Sequence, residues 1–305
     1  MSAPNKLVTT KATMASKSVP VRKPKWLKAA KPAGTQYRDM HQLVATKSLH
    51  TVCQEARCPN MGECWSRGVA TVMILGDTCT RACGFCAVKT GRPGKVDSDE
   101  PQRVAEAVRA MQLRHVVVTS VDRDDLPDGG AEIWRQTIEA IRAVNPHTKI
   151  EVLTPDFKGI ETDVATVLRA SPDIFSHNVE TVPSLHRQVR PQASYKRSLG
   201  VLKISKQAGF VTKSGLMVGL GEAFSEVVQV MRDLVAIGVD ILTLGQYMQP
   251  TPEHLPINRY VHPDEFLELK ELGLALGFKY VESGPLVRSS YRADQQAIDN
   301  EKRKE

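Results

Sequence analysis

Cys79, Cys83 and Cys86 place three thiols within eight residues, spaced Cys-x3-Cys-x2-Cys. Three thiolates on one short loop can hold three corners of an iron–sulfur cube. The fourth iron then lacks a ligand from the loop and is open to a substrate or cofactor, so the spacing points to chemistry more than to a structural staple. A zinc knuckle or a ferredoxin-type electron site would also use clustered thiols. Each usually needs a fourth Cys or His close by, and the next His is His115. A second set, Cys53, Cys58 and Cys64, lies just upstream with His50 as its nearby imidazole. Zinc is the plainer reading of that set alone. Two adjacent tri-thiolate sets favour two clusters. All six cysteines of the chain fall between residues 53 and 86, a clustering that argues for metal rather than for disulfides tying distant segments together.

These residues need a scaffold. The apolar run at 69–75 reads as a buried strand, with Gly76-Asp77-Thr78 as the turn into the first thiol loop. Further apolar runs at 115–119, 149–153, 173–178, 211–217 and 240–244 read as parallel strands. Between them lie helical stretches such as 102–112, with Val104, Val108 and Met111 on one face, and 225–237, which stops at Gly238. Six such units predict an α/β fold, a partial (βα)6 barrel with helices outside and function at the C-terminal strand ends. A helix at 263–276 and a seventh apolar run at 278–282 follow, and a short helix is expected over 39–50.

The strand ends are polar. The second ends in Thr119-Ser-Val-Asp-Arg-Asp-Asp125, then Gly129-Gly130, where missing side chains let backbone approach a ligand or simply make a turn. The fourth ends in His177-Asn-Val-Glu180; alternation puts Asn178 and Glu180 on one side. His177 reads equally as a structural or a catalytic imidazole. The fifth starts near Lys213 and ends in Gly219-Leu-Gly221-Glu222, a weak phosphate-loop pattern.

The first loop, with the aromatic Phe85 before its last Cys, resembles the signature of the radical S-adenosylmethionine (SAM) superfamily. Cys53-Gln-Glu-Ala-Arg-Cys58-Pro-Asn-Met-Gly-Glu-Cys64 together with Arg288-Ser-Ser-Tyr291 resembles the lipoyl synthase family, over roughly residues 40–297. The resemblance implies a sulfurtransferase that uses SAM to insert two sulfur atoms at C6 and C8 of an octanoyl chain held on a carrier protein. It implies two 4Fe-4S clusters. One, on Cys79, Cys83 and Cys86, cleaves SAM; the other, on Cys53, Cys58, Cys64 and Ser290, donates sulfur. Phe85, Gly129, Gly130, Asn178, Glu180 and Lys213 are the implied SAM contacts, although Ala131 follows the glycine pair where Glu is more common in the superfamily. Biotin synthases and methylthiotransferases are the nearest alternatives; the first would carry auxiliary ligands along the barrel strands, the second a larger N-terminal domain.

The 305 residues carry a formal net charge of +7, but nine Lys or Arg and no acid fall in residues 1–38. The rest holds 32 basic against 34 acidic residues. The basic character therefore belongs to a flexible leader, which suits a solvated or partner-contacting arm, an organelle transit peptide or a nucleic-acid arm. A zinc-stabilised nucleic-acid binder is the competing class, and salt-sensitive binding by colourless protein would mark it. The expected organisation is a leader over 1–38, an auxiliary-cluster extension over 39–68, the barrel over 69–283 and a C-terminal extension over 284–305. No run of 18 or more apolar residues argues for a membrane span, and no secretory signal is evident, so the cytoplasm is expected, or an organelle matrix if the leader is a transit peptide. Expected partners are an octanoylated carrier domain (2-oxoacid dehydrogenase E2 or glycine cleavage H protein), a reductant such as flavodoxin or ferredoxin, and a cluster-repair protein, with neither nucleic acid nor membrane.

Overall fold

Val69–Ile74 is buried at every position, and Ile241–Gln246 likewise. A strand apolar on both faces needs cover on both, which a parallel sheet with crossover helices supplies. The computed structural model describes residues 22–28, 38, 41–42, 50–55 and 58–296. Its strands are β1 (His50–Thr51), β2 (Val69–Ile74), β3 (Thr78–Cys79), β4 (Lys89–Thr90), β5 (His115–Ser120), β6 (Lys149–Leu153), β7 (Ile174–Ser176), β8 (Val211–Val218), β9 (Ile241–Gln246) and β10 (Tyr280–Gly284). Its α-helices are α1 (Val52–Glu55), α2 (Met61–Ser66), α3 (Glu100–Ala110), α4 (Ala131–Val144), α5 (Glu161–Arg169), α6 (His186–Val189), α7 (Tyr195–Gln207), α8 (Phe224–Ala236) and α9 (Pro263–Leu276).

The main sheet runs β1-β2-β5-β6-β7-β8-β9-β10. The six expected strands pair in parallel in chain order, and the run at 278–282 becomes a seventh, with Tyr280 opposite Ile241. Among the described residues no ladder joins β10 to the other edge, so the barrel is open along one seam. His50 and Thr51 pair antiparallel with Met73 and Val72, where a helix was expected to reach residue 50. The rest of that predicted helix falls mostly outside the described residues.

Alternation sorts each strand between two environments. Ala70, Val72, Val116, Val118, Ile150 and Val152 pack with Val104, Val108, Ile138 and Ile141 of the surrounding helices. Val69 and Val117 instead form an inner cluster with Ala293. Ala293 belongs to the segment after β10, which therefore reaches the inner face of the sheet. Gly245 of β9 makes that passage possible: a Cβ there would lie 2.2 Å from the Val287 carbonyl oxygen. Within the expected leader, Lys25–Leu27 form a 3-10 turn with Leu27 buried, and Trp26 meets His262 edge-on at 5.1 Å. Within that stretch Leu27 is buried, whereas Trp26 stays 40% exposed.

Candidate active site

The first thiol loop leaves β2 and is gripped by three other strand-end segments. Thr80 donates to the Asp122 carbonyl through its N–H at 3.0 Å and its hydroxyl at 2.9 Å. Gly84 N–H donates to Val189 O at 3.0 Å, and Gly84 O accepts from Leu255 N–H at 2.9 Å. His254 Nε2 donates to Cys86 O at 2.9 Å. The holding segments follow β5, β7 and β9, so the loop's shape depends on half the barrel.

Arg81 is the organiser that sequence reading missed. It is 3% exposed and donates to both Asp124 oxygens at 2.7 and 2.8 Å, to Asp156 at 2.7 Å, and lies 3.3 Å from Asp122. Burial opposes charge on Asp156, but the hydrogen bond and charge of Arg81 outweigh it and hold that carboxyl at about 2. The available signal was a lone cation inside the thiol loop and a run of aspartates after the second strand.

Burial pushes all three thiols up, Cys83 to about 12 and Cys86 to about 11, with the Arg190 cation opposing the rise at Cys83. Asp122 N–H and Arg81 N–H both point at Cys79 Sγ, at 3.3 and 3.4 Å. Phe85 is half-buried.

Of the other candidates, Gly129 and Gly130 have φ of 61° and 89° and turn the chain into α4, Gly130 lying against Leu75 at the end of β2. Asn178 and Glu180 do come together, Nδ2 donating to Oε1 at 3.0 Å, but not by strand alternation. β7 ends at Ser176, and Glu180 adopts φ of 66°. Asn178 Oδ1 is buried without a partner. His177 is neutral and structural: Nδ1–H donates to Thr154 O at 2.8 Å and Nε2 accepts from Ser198 at 2.9 Å. The side chain of Lys213 does not reach the Asn178–Glu180 pair. Its fully buried ammonium donates to Glu151 at 2.8 Å, a partner on β6 that no local pattern reveals. The Gly219-Leu-Gly221 amides are satisfied by Glu222, whose carboxylate accepts from all three at 2.6–3.1 Å. That occupancy removes the phosphate-loop reading.

The second thiol set is built differently. Cys53 lies in α1 and Cys64 in α2, and Cys58 N–H donates to Cys53 O at 3.0 Å between them. The three cysteines, Arg288, Ser290 and Tyr291 line one open pocket. The C-terminal segment is pinned there by Asn60 Nδ2 to Leu286 O at 2.6 Å, Tyr291 hydroxyl to Glu63 at 3.1 Å and Arg67 to Asp294 at 2.8 Å. Burial pushes these thiols up as well, Cys64 to about 12, and the Arg288 charge acts on Cys58.

All six cysteines are free. Thiols that are buried or partly buried and resist ionisation, one set near Arg190 and the other near Arg288, fit an inorganic centre whose charge replaces their protons. Among the described residues, no three Cys, His, Asp or Glu side chains gather as a single ion requires. Three thiols on each short segment are compatible with a cube whose corners take one thiolate each. The unpartnered Asn178 acceptor fits a hydroxyl donor such as a ribose.

Comparison with known proteins agrees. Residues 73–234 match the family model described as the radical SAM superfamily, and residues 5–58 match the N-terminal domain of lipoyl synthase. A lipoyl synthase of Rubrobacter xylanophilus is 59% identical over 279 residues, covering 91% of this chain and 87% of that one. A mitochondrial lipoyl synthase of Nematostella vectensis is 52% identical over 273 residues, covering 89% and 94%. Among solved structures, methylornithine synthase superposes with a TM-score of 0.53 at 14% identity, covering 88% of this chain and 89% of that one, a likeness of fold.

Proposed function

The chain belongs to the lipoyl synthase family of the radical SAM superfamily, and on that premise we propose how its residues divide the work of inserting two sulfur atoms into a carrier-bound octanoyl chain. Cys79, Cys83 and Cys86 hold the SAM-binding 4Fe-4S cluster. Cys53, Cys58, Cys64 and Ser290 hold the auxiliary one. The observation that carries this division is Ser290, from the far end of the chain, lining the same cavity as the three upstream thiols. When bound, the first cluster with SAM supplies a carbon radical able to break unactivated C–H bonds, and the second supplies sulfur.

The chain's own residues do the rest. The Arg81 network fixes the first loop against the strand ends. Asn178 and Glu180 accept hydroxyl groups of the nucleoside, and Gly129 and Gly130 offer backbone beside it; Phe85 packs at the loop. Lys213, read from sequence as a further contact, acts through its ion pair on the barrel interior. Ser290 gives a hard oxygen among soft thiolates, a mismatched ligand readily given up by a cluster that is consumed. The C-terminal segment closes the open seam and excludes water from the interior.

This reading assigns 1–38 as leader, 39–68 and 284–305 as the two halves of the auxiliary site, and 69–283 as barrel. The enzyme acts on lipoyl carrier proteins; E2 or H protein as substrate, flavodoxin or ferredoxin as reductant, and a repair protein for the auxiliary cluster follow from the proposed chemistry. Among the described residues no helix is long and apolar enough to cross a membrane. We place the enzyme in the cytoplasm, with an organelle matrix as the alternative. The test is anaerobic reconstitution with SAM, reductant and octanoylated carrier. The expected result is about eight irons per chain and a carrier mass increased by two sulfurs less two hydrogens. Stoichiometric zinc without iron, or no mass change, would overturn it.

A further inference from the structure

Residues 89–95 read Lys-Thr-Gly-Arg-Pro-Gly-Lys. The segment holds three cations and no acid, and Lys89, Arg92 and Lys95 are all exposed. None of the three has an ion pair among the described residues. Unpaired surface cations occur elsewhere, as at Arg109 and Lys203. What sets this loop apart is its attachment. β4 pairs with β3, so Lys89 lies opposite Thr78 and Thr90 opposite Cys79. Gly91 N–H donates to Cys79 O at 2.9 Å, and the Thr90 hydroxyl donates to Arg81 O at 3.2 Å. Arg123, 3% exposed, donates to Gly94 O at 3.1 Å. Of the nearest downstream acids, Asp97 is engaged with Arg103 at 2.8 Å and Glu100 with Leu75 N–H at 2.7 Å, which leaves the exposed Asp99 as the one nearby carboxylate outside such a contact.

A cationic loop whose backbone is hydrogen-bonded to the thiol loop is a fixed electrostatic marker at the rim of the site. The substrate chain is carried by another protein and must enter at that rim. We propose that residues 89–95 are the docking surface for the carrier domain, receiving an acidic face beside its modified lysine. The inference rests on the proposed function and adds the place and the charge of the contact. Exposed charges separated by more than a Debye length are screened, so the surface acts on encounter and registration more than on chemistry.

The backbone contacts to Cys79 and Arg81 do not use the three cationic side chains, so reversing those charges spares them. The experiment compares full-length reconstituted enzyme with its K89E/R92E/K95E variant on two substrates: an octanoylated carrier domain and a short uncharged octanoyl-lysyl peptide. The carrier concentration for half-maximal rate is expected to rise about tenfold or more, with its salt dependence flattened, while peptide turnover is unchanged. Replacing carrier acids beside the modified lysine with Lys should restore the charge-reversed enzyme. A K89Q/R92Q/K95Q variant, which carries less charge change, should show a smaller shift in the same direction. An unaltered carrier requirement and salt slope in either variant overturns the docking surface, as does an equal loss on peptide and carrier. Wild-type enzyme modifying neither substrate would instead overturn the functional reading beneath it.

Discussion

The thiols at 79–86 and those at 53–64 are alike in number and burial but not in what holds them. The first set sits on a loop bound by segments following three other strands, around an Arg81 shared by three aspartates. The second is half N-terminal and half C-terminal, joined across the open seam by side chains 226 to 228 residues apart. Its ion pairs are partly exposed: Arg67 and Asp294 are 34% and 13% accessible, whereas Arg81 and Asp156 are 2% and 0%. A buried charged network is costly to break, and an exposed pair contributes little. The contrast suits the proposed division, in which the first site persists through every turnover and the second is emptied and refilled.

The sharpest way to break that division is at the thiols. Cys83→Ala should abolish SAM cleavage and keep about four irons, while Cys58→Ala should cleave SAM and yield no lipoyl product. Identical losses in both variants would merge the two sites into one. Ser290→Ala should keep the fold and SAM cleavage but slow sulfur insertion by on the order of tenfold to a hundredfold, followed by product mass. Ser290→Cys should retain a cluster that resists iron loss. Full product from Ser290→Ala with an unaltered auxiliary-cluster spectrum would remove Ser290 as a ligand.

The remaining effects concern stability. Arg81→Ala strands Asp156 without its main cation and should cost about 3–5 kcal/mol in denaturant unfolding. Acid tests the same side of the molecule. Burial, aided by the Arg190 charge, pushes the His177 pKa down to about 4 from its ordinary 6.5. The unfolded chain therefore takes up the proton first as pH falls. Stability is full above about 6.5 and is lost as pH falls toward 4, by up to roughly 3 kcal/mol. A His177→Gln variant should flatten the unfolding profile in that window; a profile identical to wild type would mean His177 titrates normally. Arg67→Ala should cost less than about 1 kcal/mol, yet it should speed hydrogen exchange after β10 more than in the barrel. Uniform exchange would argue against a loosely held seam.

Much of this was readable along the chain. Thiol spacing is local, so both clusters of cysteines stood out, and hydrophobic periodicity placed seven apolar runs where β2 and β5–β10 lie, because burial on both faces leaves few alternatives. Asn178 and Glu180 were paired correctly for the wrong reason, since a left-handed Glu180 does what alternation was expected to do. Arg81 was passed over, and the ion pair of Lys213 was not foreseen, because their partners lie 43 to 75 residues away, on another strand or in the loops after β5 and β6. Charge on a single residue says nothing about which carboxylate will be folded against it. The meeting of Ser290 with Cys53, Cys58 and Cys64 was implied by family resemblance alone. Its physical cause is tertiary: an open barrel brings its two ends to one seam, Gly245 leaves room for the returning backbone, and Ala293 finds cover inside the sheet.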